Sequence, residues 1–171
     1  MTPQTVPQAL FHTRVKGSDG AFDWQQMSSS EIFDDKTVVL FALPGAFTPA
    51  CSETHLPGYE AQYDDLKAAG VDEVYCLSVN DAFVMNQWAR SLGIEKVQML
   101  PDGNAAFTRQ MGMLVERTAQ GMGLRSWRYS MLVENRQITA LFSEDGFGDN
   151  PAGVPVVVSG AHMMLDHLRN R

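Results

Sequence analysis

The run Thr37–Leu43, TVVLFAL, is almost unbroken in apolar and β-branched residues and constrains the fold more than any other stretch of the chain. A strand without polar alternation has to be covered on both faces, the condition of a strand inside a parallel sheet. Pro44 and Gly45 end it, and the segment that follows, PGAFTPACSETHLPGY (44–59), reads as the start of a helix. Thr48 is a suitable N-cap, and Pro49 suits the first helical position, where a missing N–H costs nothing. Cys51 then falls at the third helical position. Unpaired N–H groups and the positive end of the helix dipole favour the thiolate there, which is the nucleophilic form. Thr48 lies three residues earlier, so its hydroxyl and the sulfur can face each other across one turn.

Most intracellular cysteines are small buried hydrophobes. Cys51 instead has Thr48, Ser52, Glu53 and His55 around it, just beyond a strand end, where α/β folds collect their active sites. His55, four residues on along the same helix face, invites a Cys/His hydrolase reading. Such a dyad usually gathers its base from a distant segment and needs an oriented third group, so His55 is expected to make a local structural contact. Cys76, mid-strand among Val74, Tyr75, Leu77 and Val79, reads as a buried inert thiol. A disulfide-reductase reading is weakened by the absence of C-x-x-C, and His12, His162 and His167 are too dispersed for a metal-ligand spacing.

Along the chain, two short runs, 9–15 and 21–24, flank Gly17–Gly20 as a small hairpin. SSSEIFDD (28–35) offers at most one helical turn before the Thr37 strand. The helix begun at Thr48 is expected to reach Ala69, with Gly70 as its stop and a kink at Pro57-Gly58. Val71–Asn80 is the next strand, parallel to the first because a helix connects them. Asn80 or Asp81 caps a helix with Val84, Met85, Trp88 and Leu92 on one face, closed by Gly93. Lys96–Leu100 is a short strand and 105–113 a short helix. Ser126–Glu134 and Gln137–Ser143 flank Asn135-Arg136 as a hairpin pair, 144–154 is a loop, and a helix capped by Ser159 closes the chain.

A length of 171 residues fits one domain spanning 1–171. The net charge of −7, with no basic stripe, argues against unspecific binding to nucleic acid or to anionic membranes. Two cysteines are too few for a disulfide framework, the N-terminus lacks signal-peptide character, and no run of about eighteen apolar residues occurs. A cytoplasmic location is the resulting expectation.

Three blocks carry a family resemblance. Pro44, Thr48 and Cys51 match the P-x-x-x-T-x-x-C motif of the peroxiredoxins, and the longer PGAFTPACSETHLPGY, with CLSVNDAFVMNQWA (76–89) and RYSMLVENRQI (128–138), resembles the peroxiredoxin 5 subfamily. The resemblance implies an α/β thioredoxin-like fold, a central mixed sheet with flanking helices. It implies a thiol peroxidase in which Cys51 attacks a peroxide and becomes a sulfenic acid. Arg128 matches the arginine that the family places beside the sulfur, with Arg125 a nearby competitor, and Pro44 would shield the sulfur from water. No metal and no tightly bound cofactor are implied. The resolving cysteine of two-cysteine relatives has no counterpart in SEDGFGDNPAGVPVVVSGAHMML (143–165), and Ala50 replaces a common glycine. An external thiol, glutathione with glutaredoxin or else thioredoxin, is therefore the expected reductant. A homodimer formed through Phe47, Pro49 and Phe83 is expected as well. The alternative from another class is a redox-sensing or interaction module that uses the oxidisable cysteine without efficient turnover.

Overall fold

The computed structural model describes residues 2–171. An antiparallel ribbon of β1 (Leu10–Lys16) and β2 (Phe22–Ser28) comes first, and β2 runs four residues beyond its expected end. Then α1 (Ser29–Phe33) makes its single turn, started by a reciprocal capping box between Ser28 and Glu31. The apolar run forms β3 (Thr37–Ala42). Beyond residues 43–55 follow α2 (Leu56–Ala61), α3 (Tyr63–Ala68), β4 (Glu73–Ser78), α4 (Ala82–Ser91), β5 (Gln98–Pro101) and α5 (Ala106–Gln110). The remainder is β6 (Leu114–Glu116), β7 (Leu124–Ser126), β8 (Tyr129–Glu134), β9 (Gln137–Ser143) and α6 (Ala161–Arg169).

Five strands make one mixed sheet in the order β5-β4-β3-β8-β9. β3, β4 and β5 are parallel, and β8 and β9 antiparallel, the thioredoxin-like plan. Side chains of β3 alternate between two cores. Val38, Leu40 and Ala42 join Phe11, Phe33, Phe107 and Trp127 on one face. Val39 and Phe41 join Cys51, Tyr59, Cys76, Trp88 and Leu165 on the other. Burial on both faces is why the run carries no polar alternation.

Several boundaries differ from the sequence reading, each for a local reason. The expected strand Ser126–Glu134 is divided: Ser126 pairs with Leu114 in a separate β6–β7 ribbon, and the main-sheet strand starts at Tyr129. Asp81 caps α4 by accepting from the Val84 N–H, yet Leu92 is exposed and Ala82 and Ala89 complete the buried face with Met85 and Trp88. Ser159 does not cap α6, because its hydroxyl donates to Glu144 Oε1 and Gly160 occupies the cap position. The β8–β9 turn forms without glycine. Asn135 and Arg136 both take positive φ, 44° and 70°, as a two-residue hairpin turn requires, and the Asn135 side chain also accepts from the Asp35 N–H. No helix among the described residues is long and apolar enough to cross a membrane.

Candidate active site

The segment after β3 turns at Pro44-Gly45 and becomes helical at Pro49, with the Ser52 N–H bonded to the Thr48 carbonyl. Cys51 thus stands at the third helical position, as its spacing from Pro49 implies. The helix is not regular there. Residues Cys51–His55 form a π-turn in which the Leu56 N–H reaches back to the Cys51 carbonyl. Pro57 follows without an N–H to donate, so the ladder is already short of one donor where the wider turn occurs. A further break at Gln62 separates α2 from α3, so the expected single helix is three helical pieces.

Cys51 is fully buried. Its Sγ accepts from Nη2 of Arg128 at 3.4 Å, a contact the sheet register sets up: Ala42 at the end of β3 pairs with Tyr129 at the start of β8. Arg128 thereby emerges beside the segment that leaves β3. Two further bonds fix its fork. Nε donates to the Val154 carbonyl at 2.8 Å, and Nη1 lies 3.0 Å from His55 Nδ1. A guanidinium can only donate, so His55 Nδ1 is the acceptor and carries no proton. The other nitrogen, Nε2, therefore holds the proton and donates to the Ser159 carbonyl at 3.0 Å. Burial, reinforced by the Arg128 charge, pushes the His55 pKa down to about 3, so the ring is neutral. Neutral His55 is a support for Arg128, with Phe41 and Tyr59 packed against it.

The Ser159 carbonyl also accepts from the Tyr59 hydroxyl at 2.8 Å. Its position is set by Glu144, whose buried Oε1 accepts from the N–H groups of Val157, Val158 and Ser159 at 2.8, 3.0 and 3.0 Å and from the Ser159 hydroxyl at 2.7 Å. Neither Glu144 nor Ser159 was singled out for the site from the sequence. One signal was available, a glutamate at the start of a Gly- and Asp-rich loop, but nothing local distinguishes it from a solvated loop carboxylate.

Thr48 Oγ1 donates to the Gly45 carbonyl at 2.7 Å, so its proton is committed to the turn and its lone pairs stay available. Pro44 is buried, and its carbonyl accepts from Arg125 Nη1 at 3.4 Å. A Cβ on Gly45 would lie 2.6 Å from that same nitrogen, so a side chain there would push the Arg125 guanidinium aside. Arg125 braces the turn while Arg128 holds the sulfur. Ser52, next to Cys51, accepts from the Trp88 indole at 2.9 Å. Cys76 is fully buried in β4, paired with Phe41 on one side and Met99 on the other, and burial raises its thiol pKa well above the ordinary value. A wide cleft of about 930 Å³ lies between the β1–β2 ribbon, α4 and β5, and none of Pro44, Thr48, Cys51 and Arg128 lines it. No His/Cys/Asp/Glu cluster able to hold a metal occurs among the described residues.

The Redoxin family model matches residues 13–153. Peroxiredoxin sll1621 of Synechocystis is 50% identical, over 99% of this chain and 92% of that protein. Among solved structures, reduced Prx3 of Vibrio vulnificus in complex with hydrogen peroxide is 42% identical over 98% of both chains, with a TM-score of 0.84. The Plasmodium falciparum antioxidant protein, a 1-Cys peroxiredoxin, is 32% identical over 98% of both chains, with a TM-score of 0.91.

Proposed function

Because this chain belongs to the Redoxin family and is a peroxiredoxin, a thiol-dependent peroxidase, we propose that Cys51 is its peroxide-reacting residue and that an external thiol, glutathione with glutaredoxin, recycles it. The Cys51 thiolate attacks one peroxide oxygen. The S–O bond forms as the O–O bond breaks, and the departing oxygen takes up a proton and leaves as water or an alcohol. Cys51 is then a sulfenic acid. A thiol attacks that sulfur, water leaves, and a mixed disulfide forms; a second thiol releases Cys51 and carries away the disulfide.

The observation that carries this reading is the 3.4 Å approach of Arg128 Nη2 to a fully buried Cys51 Sγ, with the rest of the guanidinium tied to Val154 and His55. A cation held from behind stabilises negative charge on sulfur and, as the reaction proceeds, on the peroxide oxygens, without reorganising. Thr48, its proton already donated to Gly45, offers lone pairs to the peroxide O–H. Pro44 closes the pocket against water, and the first-turn N–H groups face the reacting atoms. Hydrogen peroxide is the simplest substrate, in keeping with the Vibrio vulnificus Prx3 complex.

The one-cysteine cycle is supported by the two free cysteines, both buried, with Cys76 held mid-sheet. A homodimer is part of the same reading, supported by Phe47 and Phe83, 57% and 54% exposed, and by Pro49. The test is a reductant screen with purified protein and hydrogen peroxide. Turnover with glutathione and glutaredoxin that disappears in Cys51→Ser is expected; equal turnover in Cys51→Ser would overturn the assignment.

A further inference from the structure

Two arginines near Cys51 have no part in the cycle above. Arg125 lies in β7, opposite Val115 of β6, and the Arg117 N–H continues the ribbon by donating to the Gly123 carbonyl. Side chains two apart on a strand share a face, so Val115, Arg117 and Arg125 project from the same side of the ribbon. Gly123, opposite Arg117, contributes no side chain, which leaves Arg117 and Arg125 as diagonal neighbours across an open gap. Their face is the one that carries Met113, Val115 and Trp127 into the core. Arg125 extends it to the Pro44 carbonyl, in the turn that delivers Cys51.

Arg117 is only 8% exposed, and its Nε has no hydrogen-bond partner. The three ion pairs among the described residues, Lys96–Asp64, Arg136–Asp34 and Arg171–Glu134, involve neither Arg117 nor Arg125 nor Arg128. Twenty acidic residues against thirteen basic ones give the chain ample carboxylates, yet none is placed on this group. A largely buried arginine with its Nε unpartnered and no counter-charge is costly, and an arriving anion would offset that cost. Burial, then the charge of Arg128, depress the ionisation of Arg117, Cys51 favours it, and Arg125 depresses it further.

We propose that Arg117 and Arg125 form a carboxylate-binding subsite beside Cys51. The subsite rests on the thiol-peroxidase reading and names the co-substrate class it prefers: a thiol or a hydroperoxide that bears a carboxylate some way from its reacting atom. The two guanidinium groups hold that carboxylate while the reacting sulfur or oxygen reaches the Cys51 sulfur. Arg128 remains committed to Cys51 itself.

Stopped-flow measurements on the two half-reactions separate the sources. One arm reduces peroxide-oxidised protein with glutathione or with glutathione diethyl ester, at matched thiolate concentration. The other oxidises reduced protein with linoleic acid hydroperoxide or its methyl ester. In the unaltered protein the free acid is expected to react about tenfold faster than the ester in one arm, which identifies the anionic co-substrate. Arg117→Gln should bring that ratio close to one, and Arg117→Lys, which keeps the charge, should recover most of it. An acid-to-ester ratio near one in both arms of the unaltered protein would overturn the proposal without any variant. So would a ratio unchanged in Arg117→Gln, and an altered sedimentation coefficient in that variant would then assign the guanidinium to a subunit contact. Absence of peroxide turnover with every thiol would instead overturn the peroxidase reading, and this subsite with it.

Discussion

Arg128 directs its donors at Cys51 Sγ, the His55 ring and the Val154 carbonyl, so its position is over-determined by bonds that do not involve substrate. Arg128→Met keeps the bulk and removes the charge, and the rate of Cys51 oxidation by peroxide should fall by about 10²- to 10³-fold. Stopped-flow fluorescence with hydrogen peroxide measures it, and a fall of less than threefold would remove Arg128 from the chemistry. His55 leads to a pH prediction. Its folded pKa of about 3 lies below the ordinary value of 6.5, so between these the unfolded chain binds the extra proton. Stability supplied by neutral His55 is complete above pH 6.5 and is lost as the pH falls toward 3, at up to about 1.4 kcal/mol per pH unit. Urea midpoints between pH 7 and 4 should show this slope in the parent and a shallower one in His55→Phe. At this scale the sequence was informative where chemistry repeats locally. Cys51, Thr48 and Pro44 sit within eight residues of one another, and the Arg128 block is a recognisable string. The partner of His55 was not legible, because the Arg128 contact spans 73 positions and depends on the β3–β8 register.

Elements were legible in proportion to their length. The six residues of β3 and the ten of α4 declare their burial through period and composition, whereas β6 and β7, three residues each and partly polar, fall below the span at which a period can be recognised. The π-turn escaped for a different reason. Nothing in CSETH forbids an ordinary turn, and the wider one coincides with Pro57, which has no N–H to donate, and with the burial of Cys51 and His55. The segment between β9 and α6 has almost no regular structure, and Glu144 organises it by gathering three consecutive N–H groups and a hydroxyl. Glu144→Ala leaves those four donors without their acceptor, the two of Ser159 buried, and should cost about 2–5 kcal/mol. Glu144→Gln retains one carbonyl oxygen and should cost less. Chemical denaturation gives the energies. Loss of hydrogen-exchange protection confined to residues 157–159 in the Ala variant would locate the effect; unchanged protection there would refute the clamp.

On the scale of the whole molecule, the two cysteines belong to one core but to different mechanical settings. Cys51 lies in the irregular turn after β3, and Cys76 is held by the ladders to β3 and β5. Forming a disulfide between them would require Cys76 to leave the middle of the sheet. One equivalent of peroxide without added thiol should therefore leave a sulfenic acid on Cys51, and excess peroxide a sulfinic acid. Intact mass and peptide mapping distinguish these from a Cys51–Cys76 disulfide, whose rapid appearance would end the one-cysteine cycle. The exposed pair Trp24 and Phe83, edge to face at 4.9 Å, lies with Phe47 among the apolar groups left uncovered by the single chain. Sedimentation at micromolar concentration should show a dimer, weakened in Phe83→Glu. The register that brings Arg128 to Cys51 has one more consequence, in folding time. The contacts that complete the site join residues 77 and 104 positions apart, so their loop-closure entropy is met late and a chain can hold most of its helices before it holds the site. During synthesis Cys51 leaves the ribosome well ahead of Arg128, 77 residues later. Peroxidase activity should accordingly recover no earlier than the β3–β8 pairing in refolding, and the nascent chain passes through an interval in which the Cys51 thiol has not yet met Arg128.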